Sequence, residues 1–409
     1  MNNFLRKWLR ISFFNLLLVA GLGVIMRYKI AFYLPFIEQK HVLHSHSNFA
    51  FSGWVTQALM VLLVYYLGFK NGELFLKRYC WLLYANLITA YSMLVSFLIW
   101  GYAFFSISFS ILSILVSYCF ALYYWKDLNQ MNEKKICHSW FKAALVFSVI
   151  SSIGAFFITF LVANNIKEPN WYLASTYFFL HFQYNGWFLF ACMGLFIDHL
   201  RFIISFTLQK RIFWLFSMAC IPAYFLSVLW VPIPAWVYLL VVLAAAAQLL
   251  GWVLVLKSTI YNKLRLFENL ASQTKWLFIL SASALSIKLF LQLASTIPAL
   301  SSLAFGFRPV VIGYLHLMFL GVITLFIIGF CKMKQFIISN RSANTGILIF
   351  VCGIILNEIF LMIQGFSYMN YISVPYINEL LLGAAVSMFC GLIFLNLGLR
   401  KKIPNMLDS

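Results

Sequence analysis

The stretch LHSHSNFAFSGWVTQALMVLLVYYL, residues 43–67, begins with two histidines and continues as a mostly apolar run. Its length matches the roughly 20 residues that a helix needs to cross a bilayer. Comparable stretches recur along all 409 residues, of which 64% are hydrophobic and 10% charged, and that composition is far too apolar for a soluble domain. The sequence therefore predicts an all-α polytopic membrane protein with a single transmembrane domain over residues 1–409.

Hydrophobicity divides the chain into twelve predicted transmembrane helices. These spans are 11–35, 43–67, 79–101, 104–125, 140–163, 172–197, 211–230, 233–256, 273–295, 309–331, 344–365 and 375–398. Most of the 29 Lys and Arg fall at the termini and in the loops after even-numbered spans, whereas the opposite side holds Arg27, Lys29, Lys40, Lys167 and Arg308. By the positive-inside rule, both termini are predicted in the cytoplasm of a multi-pass protein of the cell inner membrane. The net charge of +19 reflects these loops, so the bilayer is the expected partner and nucleic acid is not.

Histidines recur on spans two, six and ten. His44 and His46 lie near the start of span two, His181 lies in span six and His316 in span ten. Steps of 137 residues (44 to 181) and 135 residues (181 to 316) separate them, and Gly follows both His181 and His316 by five positions. This spacing predicts three four-helix arcs in a pseudo-threefold arrangement.

An imidazole in the hydrocarbon layer must be paired, because an unpaired polar group there costs several kcal/mol. Heme iron held between two imidazoles is one such pairing. A hydrogen bond between neighbouring helices is the other, and for any single histidine the sequence leaves this alternative open.

The three segments resemble the catalytic subunit of heme-copper oxidases and nitric oxide reductases, above all the C-type oxidases. The second helix of that family has an L-H-x-x pattern leading into F-A-F-G-G, and LHSHSNFAFSGW stands at 43–54. Its sixth helix has G-H-N-A-V-G-F-F-L, and LHFQYNGWFLF stands at 180–190. The resemblance implies that His44 and His316 are opposite ligands of one low-spin heme and that His181 stands at the first copper ligand. His46 is the rival of His44, since residues two apart on a helix point to nearly opposite sides.

The sequence also departs from that family. Tyr314 stands where the family has the high-spin heme ligand, and RIFWLFSMACIPAYFLSVLW at 211–230 lacks the histidine pair that completes the copper site. The expected cofactor is therefore heme b without copper, and oxygen-reducing activity does not follow from the resemblance. The NnrS family, whose heme membrane proteins are linked to nitric oxide stress, offers a looser resemblance.

The expected function is electron transfer or a redox role with nitric oxide or oxygen, and the sequence leaves open whether the chain is an enzyme. Because C-x-x-C-H is absent, the electron donor would be a separate quinol or cytochrome. A secondary transporter and a heme-free scaffold are the alternatives.

Charged residues near the membrane complete the expected site. Arg308 and Arg27 are candidates for binding heme propionates, because a guanidinium can hold a carboxylate with two hydrogen bonds. Lys288, Glu358 and Glu379 fall within spans nine, eleven and twelve, where ionisable groups mark proton or ion paths by default. The sequence also allows Lys288 and Glu358 to form a purely structural pair.

Overall fold

A computed structural model describes residues 3–71, 77–262, 268, 270–301 and 307–400. All regular secondary structure in the described part is helical, as expected for segments whose backbone polar groups must be satisfied internally within lipid. The helices are α1 (Asn3–Ala31), α2 (Gln39–Phe49), α3 (Gln57–Asn71), α4 (Cys80–Trp100), α5 (Phe104–Asn129), α6 (Ile136–Ala163), α7 (Pro169–His181), α8 (Leu189–Leu200), α9 (Phe206–Cys220), α10 (Ala235–Tyr261), α11 (Ser272–Ala294), α12 (Arg308–His316), α13 (Leu325–Met333), α14 (Arg341–Met369) and α15 (Ile377–Arg400).

Three π-helical turns join consecutive α-helices into longer helices. They are π1 (Ala50–Thr56) between α2 and α3, π2 (Phe182–Phe188) between α7 and α8, and π3 (Leu317–Thr324) between α12 and α13. These turns fall in the predicted spans two, six and ten, the same spans that carry the histidines. Single π-turns within α-helices often mark functional sites.

Ten helices of the described part are long and apolar enough to cross a membrane. An eleventh is counted if α9 and the 3₁₀-helix Pro222–Val228, which meet at a 44° bend, form one span. The prediction of a helical, multi-pass membrane protein in contact with a bilayer is thereby confirmed. The helix from Pro169 to Leu200 is not among the ten, because His181, Gln183 and Asn185 lower its mean hydropathy. The exact number of twelve spans and the three arcs stay predictions.

The chain groups into two compact units. Unit 1 comprises Met1–Ser113, Ala271–Phe278 and Thr324–Ser409, and unit 2 comprises Ile114–Leu270 and Ile279–Ile323. The single domain expected over residues 1–409 stays a prediction.

Unit 1 contains a close helix pair, α14 and α15. A Cβ atom added at Gly346 would lie 2.4 Å from the backbone nitrogen of Leu395, and one at Gly391 would lie 2.5 Å from the backbone nitrogen of Phe350. Only glycine permits this close approach of two backbones. Within lipid there is no hydrophobic driving force between helices, so close packing at small residues contributes to their association. The pair is therefore fixed by small residues that the hydropathy pattern does not reveal.

Unit 2 contains the bend between α9 and the 3₁₀-helix. Pro222 lacks an amide hydrogen and cannot continue the hydrogen-bond ladder of α9. The Tyr224 amide donates to the Ile221 carbonyl at 3.2 Å, so the Cys220 carbonyl does not receive its usual helical donor. His181 of α7 supplies the donor instead, and this hydrogen bond fixes the position of its ring.

Candidate functional site

The glycines of the three π-helical turns set a common register. The segments NFAFSGW at 48–54 and HFQYNGW at 181–187 share Phe, Gly and Trp at the same places, and HLMFLGV at 316–322 shares the Gly. In this register Asn48, rather than His44 or His46, is equivalent to His181 and His316. The histidine spacing matches His44 or His46 to His181 and His316 instead, and the threefold repeat stays a prediction. The shared glycine and the aromatic residue two places before it define the alternative register.

Side chains from neighbouring helices satisfy carbonyl groups of these wide turns. Asn15 Nδ2 donates to the Gly53 carbonyl at 2.6 Å, and Asn86 Nδ2 donates to the Ser52 carbonyl at 3.0 Å. In π3, Ser281 Oγ donates to the Val322 carbonyl at 2.8 Å. A π-helical turn displaces carbonyls from their α-helical donors, so these polar side chains are needed to keep the turns within a membrane.

Packing changes abruptly at two of these turns. Residues 52–64 and 321–332 are buried without exception. By contrast, residues 310–320 are half-buried apart from Met318, and most of residues 41–51 are half-buried too. The first halves of the predicted spans two and ten, which carry the histidines, are thus less buried than their second halves.

His46 presents a defined tautomer. Its Nδ1 lies 3.0 Å from the Val19 carbonyl of α1, and a carbonyl can only accept, so Nδ1 carries the hydrogen. In the neutral ring the lone pair is then on Nε2. Gly23, one turn along α1, has the position of its missing Cβ 3.5 Å from His46 Cε1. The ring therefore lies along α1 with its tautomer defined.

His316 has the same tautomer in unit 2. Its Nδ1 donates to the Ile312 carbonyl at 2.8 Å, one turn back on α12, and the lone pair is again on Nε2. Metal-bound histidines almost always donate their other ring nitrogen to a carbonyl or carboxylate in this way. Tyr314, two residues earlier, is half-buried.

His44 lies in a different environment from His46. Its ring meets the Tyr102 ring edge-on at 4.5 Å between centroids, and the Phe97 ring lies 6.2 Å away. Tyr102 belongs to the turn between α4 and α5 and is itself exposed. His44 thus packs toward the end of α4 while His46 packs along α1, as the spacing of two residues predicts.

His181 is fully engaged in hydrogen bonds. Its Nε2 donates to the Cys220 carbonyl at 2.8 Å, the group released by the Pro222 bend, and Asn185 Nδ2 donates to its Nδ1 at 3.1 Å. The side chain is 2% exposed. A metal ion at His181 would have to break one of these bonds, and the described residues contain no group of three His, Cys, Asp or Glu side chains that could hold a metal ion. The geometry thus favours an interhelical hydrogen-bond role for His181.

Lys288 and Glu358 have amide neighbours within their own units. Lys288, fully buried in unit 2, donates to Gln292 Oε1, and Gln292 donates to Gln248 Oε1 at 2.7 Å. Glu358, in unit 1, accepts from Asn357 Nδ2 at 3.2 Å.

The remaining charged candidates lie near helix ends. Arg308 is exposed at the start of α12 and Arg27 is half-buried near the end of α1. Glu379 is exposed in the first turn of α15, where a carboxylate interacts favourably with the helix dipole.

No protein-family model matches the chain, and no curated protein matches it either. The resemblance to heme-copper oxidases and nitric oxide reductases therefore stays a prediction that depends on the residues themselves.

Proposed function

We propose that this chain is a heme-binding integral membrane protein with a role in electron transfer or in binding a diatomic gas. The observation that carries the proposal is the shared tautomer of His46 and His316. In each ring Nδ1 donates to a backbone carbonyl, at 3.0 Å and 2.8 Å respectively, so that the lone pair of the neutral ring is on Nε2. Neutral imidazole in this orientation is the usual axial ligand of heme iron.

The surroundings of the two histidines support the same proposal. Both lie in the half-buried first halves of their spans. We therefore propose His46 as an iron ligand in unit 1 and His316 as an iron ligand in unit 2, and His44 becomes the alternative to His46. That one porphyrin is shared by a histidine of span two and His316 stays a prediction. When bound, heme b supplies a one-electron redox centre and a site for small gases.

Other expectations belong to the same proposal. Arg27 and Arg308 are the candidates for propionate contacts, and the electron donor is a separate quinol or cytochrome. Copper is not part of the proposal, because the donor set around His181 does not fit a copper ion. The location in the inner membrane with cytoplasmic termini is proposed from the distribution of Lys and Arg.

The test is the absorption spectrum of the purified protein, recorded as dithionite-reduced minus oxidised. We expect an α band of b type that is reduced in His46→Ala and in His316→Ala, and that disappears in each of them if the two histidines share one heme. His44→Ala is the matched control, two residues from His46 on the same helix, and should keep the band. Loss of the band in His44→Ala with retention in His46→Ala would show that His44 is the ligand. A spectrum without any heme band would favour the transporter or scaffold alternatives.

A further inference from the structure

Unit 2 contains a cavity of about 590 Å³ at the end where α7 and α10 begin and α11 ends. This size falls within the 300–1,000 Å³ typical of sites for small organic ligands. Its lining includes three aromatic residues, Tyr177, Trp230 and Tyr238, together with aliphatic residues such as Leu173 and Ile233. No Lys, Arg, Asp or Glu of the described residues lines it. A ligand that matches this lining is neutral and mostly apolar.

Hydrogen bonds hold the cavity walls in place. The Tyr238 hydroxyl donates to the Thr296 carbonyl and thereby joins α10 to the end of α11. Trp230 Nε1 donates to the Ser227 carbonyl at 3.3 Å, and Pro232 stiffens the turn that follows. The cavity is thus preformed, so that little of the binding free energy of a ligand is lost in ordering the cavity walls.

The same bonds decide which polar groups a ligand should have. Two hydroxyls of the lining already donate their hydrogen to backbone carbonyls. The Tyr238 hydroxyl donates to the Thr296 carbonyl, and the Thr296 hydroxyl donates to the Leu293 carbonyl at 2.7 Å. Their oxygen atoms still carry lone pairs and can accept. A complementary ligand therefore has O–H donors, and carbonyl oxygens at these two positions would meet acceptors.

We propose that this cavity binds a neutral, lipid-soluble aromatic molecule with phenolic O–H groups, such as a hydroquinone, whose hydroxyls donate to the oxygens of Tyr238 and Thr296. The aromatic lining offers stacking and edge contacts to a flat ring, worth about 0.5–1.5 kcal/mol for each favourable pair. Neither His46 nor His316 is among the described residues that line the cavity, and the proposal does not depend on heme binding.

The experiment is isothermal titration of the detergent-solubilised full chain with decylhydroquinone under anaerobic conditions, and separately with the oxidised decylquinone. We expect one molecule bound per chain, with the hydroquinone bound about threefold to tenfold more tightly, as for one net hydrogen bond. Tyr238→Phe removes one acceptor and should reduce this preference toward unity. Tyr261→Phe, an exposed tyrosine on the same helix, is the matched control and should leave it unchanged.

A second variant separates binding from folding effects. Leu173 is 43% exposed, so that Leu173→Trp adds bulk at the cavity wall without disturbing a buried core, and it should abolish binding. The proposal is overturned if the quinone binds as tightly as the hydroquinone, or if decanol, which offers only an alkyl chain and one hydroxyl, competes equally. It is also overturned if Leu173→Trp binds like the wild type. Because none of these readouts involves iron, failure here is distinguishable from failure of the heme proposal.

Discussion

The substitution His181→Leu distinguishes a structural histidine from a metal ligand. It removes the bonds from Nε2 to the Cys220 carbonyl and from Asn185 to Nδ1, at 2.8 Å and 3.1 Å, in a site that is 2% exposed. Hydrogen bonds between helices in a membrane average about 0.6 kcal/mol and reach about 1.7 kcal/mol. Two of them predict a loss of about 1–3 kcal/mol in the free energy of unfolding. The Cys220 carbonyl cannot find its helical donor again, because the Tyr224 amide is already bonded to Ile221.

The assay is equilibrium unfolding in mixed micelles by titration with sodium dodecyl sulfate, read by far-ultraviolet circular dichroism. Asn185→Leu removes only the bond to Nδ1 and should cost roughly half as much, so the two variants form a matched series. The heme spectrum of His181→Leu should equal that of the wild type. An unchanged unfolding midpoint, or a loss of bound metal in proportion to the loss of stability, would refute the structural assignment of His181.

Three further predictions concern packing and buried polar groups. Gly346→Ala places a Cβ 2.4 Å from a backbone nitrogen of α15 and should lower the free energy of unfolding by more than about 2 kcal/mol. Gly383→Ala, with nothing within 4 Å, is the control and should change it by less than about 0.5 kcal/mol in the same titration. Lys288→Met should leave stability unchanged or raise it, because a fully buried amine with one bond to Gln292 gains little from its charge; a loss of more than about 2 kcal/mol would contradict this. Ser281→Ala leaves a carbonyl of π3 without its donor and should cost about 1 kcal/mol, with a measured gain in stability as the contrary result.

The overall class of this protein could be predicted from its sequence because hydropathy acts on whole segments. Runs of about 20 apolar residues can satisfy their backbone in lipid only as helices, and the structure has such helices throughout the described part. The bend at Pro222 was not anticipated, and it divides the predicted span 211–230 into α9 and a 3₁₀-helix. The predicted span 172–197 lies within one continuous helix whose polar residues reduce its mean hydropathy.

The candidate site could be predicted only in part from the sequence. Histidine spacing identified the three spans that contain π-helical turns but matched His44 or His46 to His181 and His316, whereas alignment on the shared glycines makes Asn48 the equivalent residue. Local hydrophobicity does not determine where a π-helical turn falls. The hydrogen bonds that set the ring tautomers come from Val19 on another helix and from Ile312 one turn back. Sequence indicates which imidazoles enter the membrane, but their partners decide which ring nitrogen carries the lone pair.

The most direct measurement for the central claim is the heme content of the purified protein, determined as the pyridine hemochromogen against protein concentration. The account predicts that wild-type protein and His44→Ala contain stoichiometric heme b and that His46→Ala loses it while still unfolding at a similar detergent concentration. Wild-type protein that is folded yet contains no heme, even after expression with added hemin, would contradict the account.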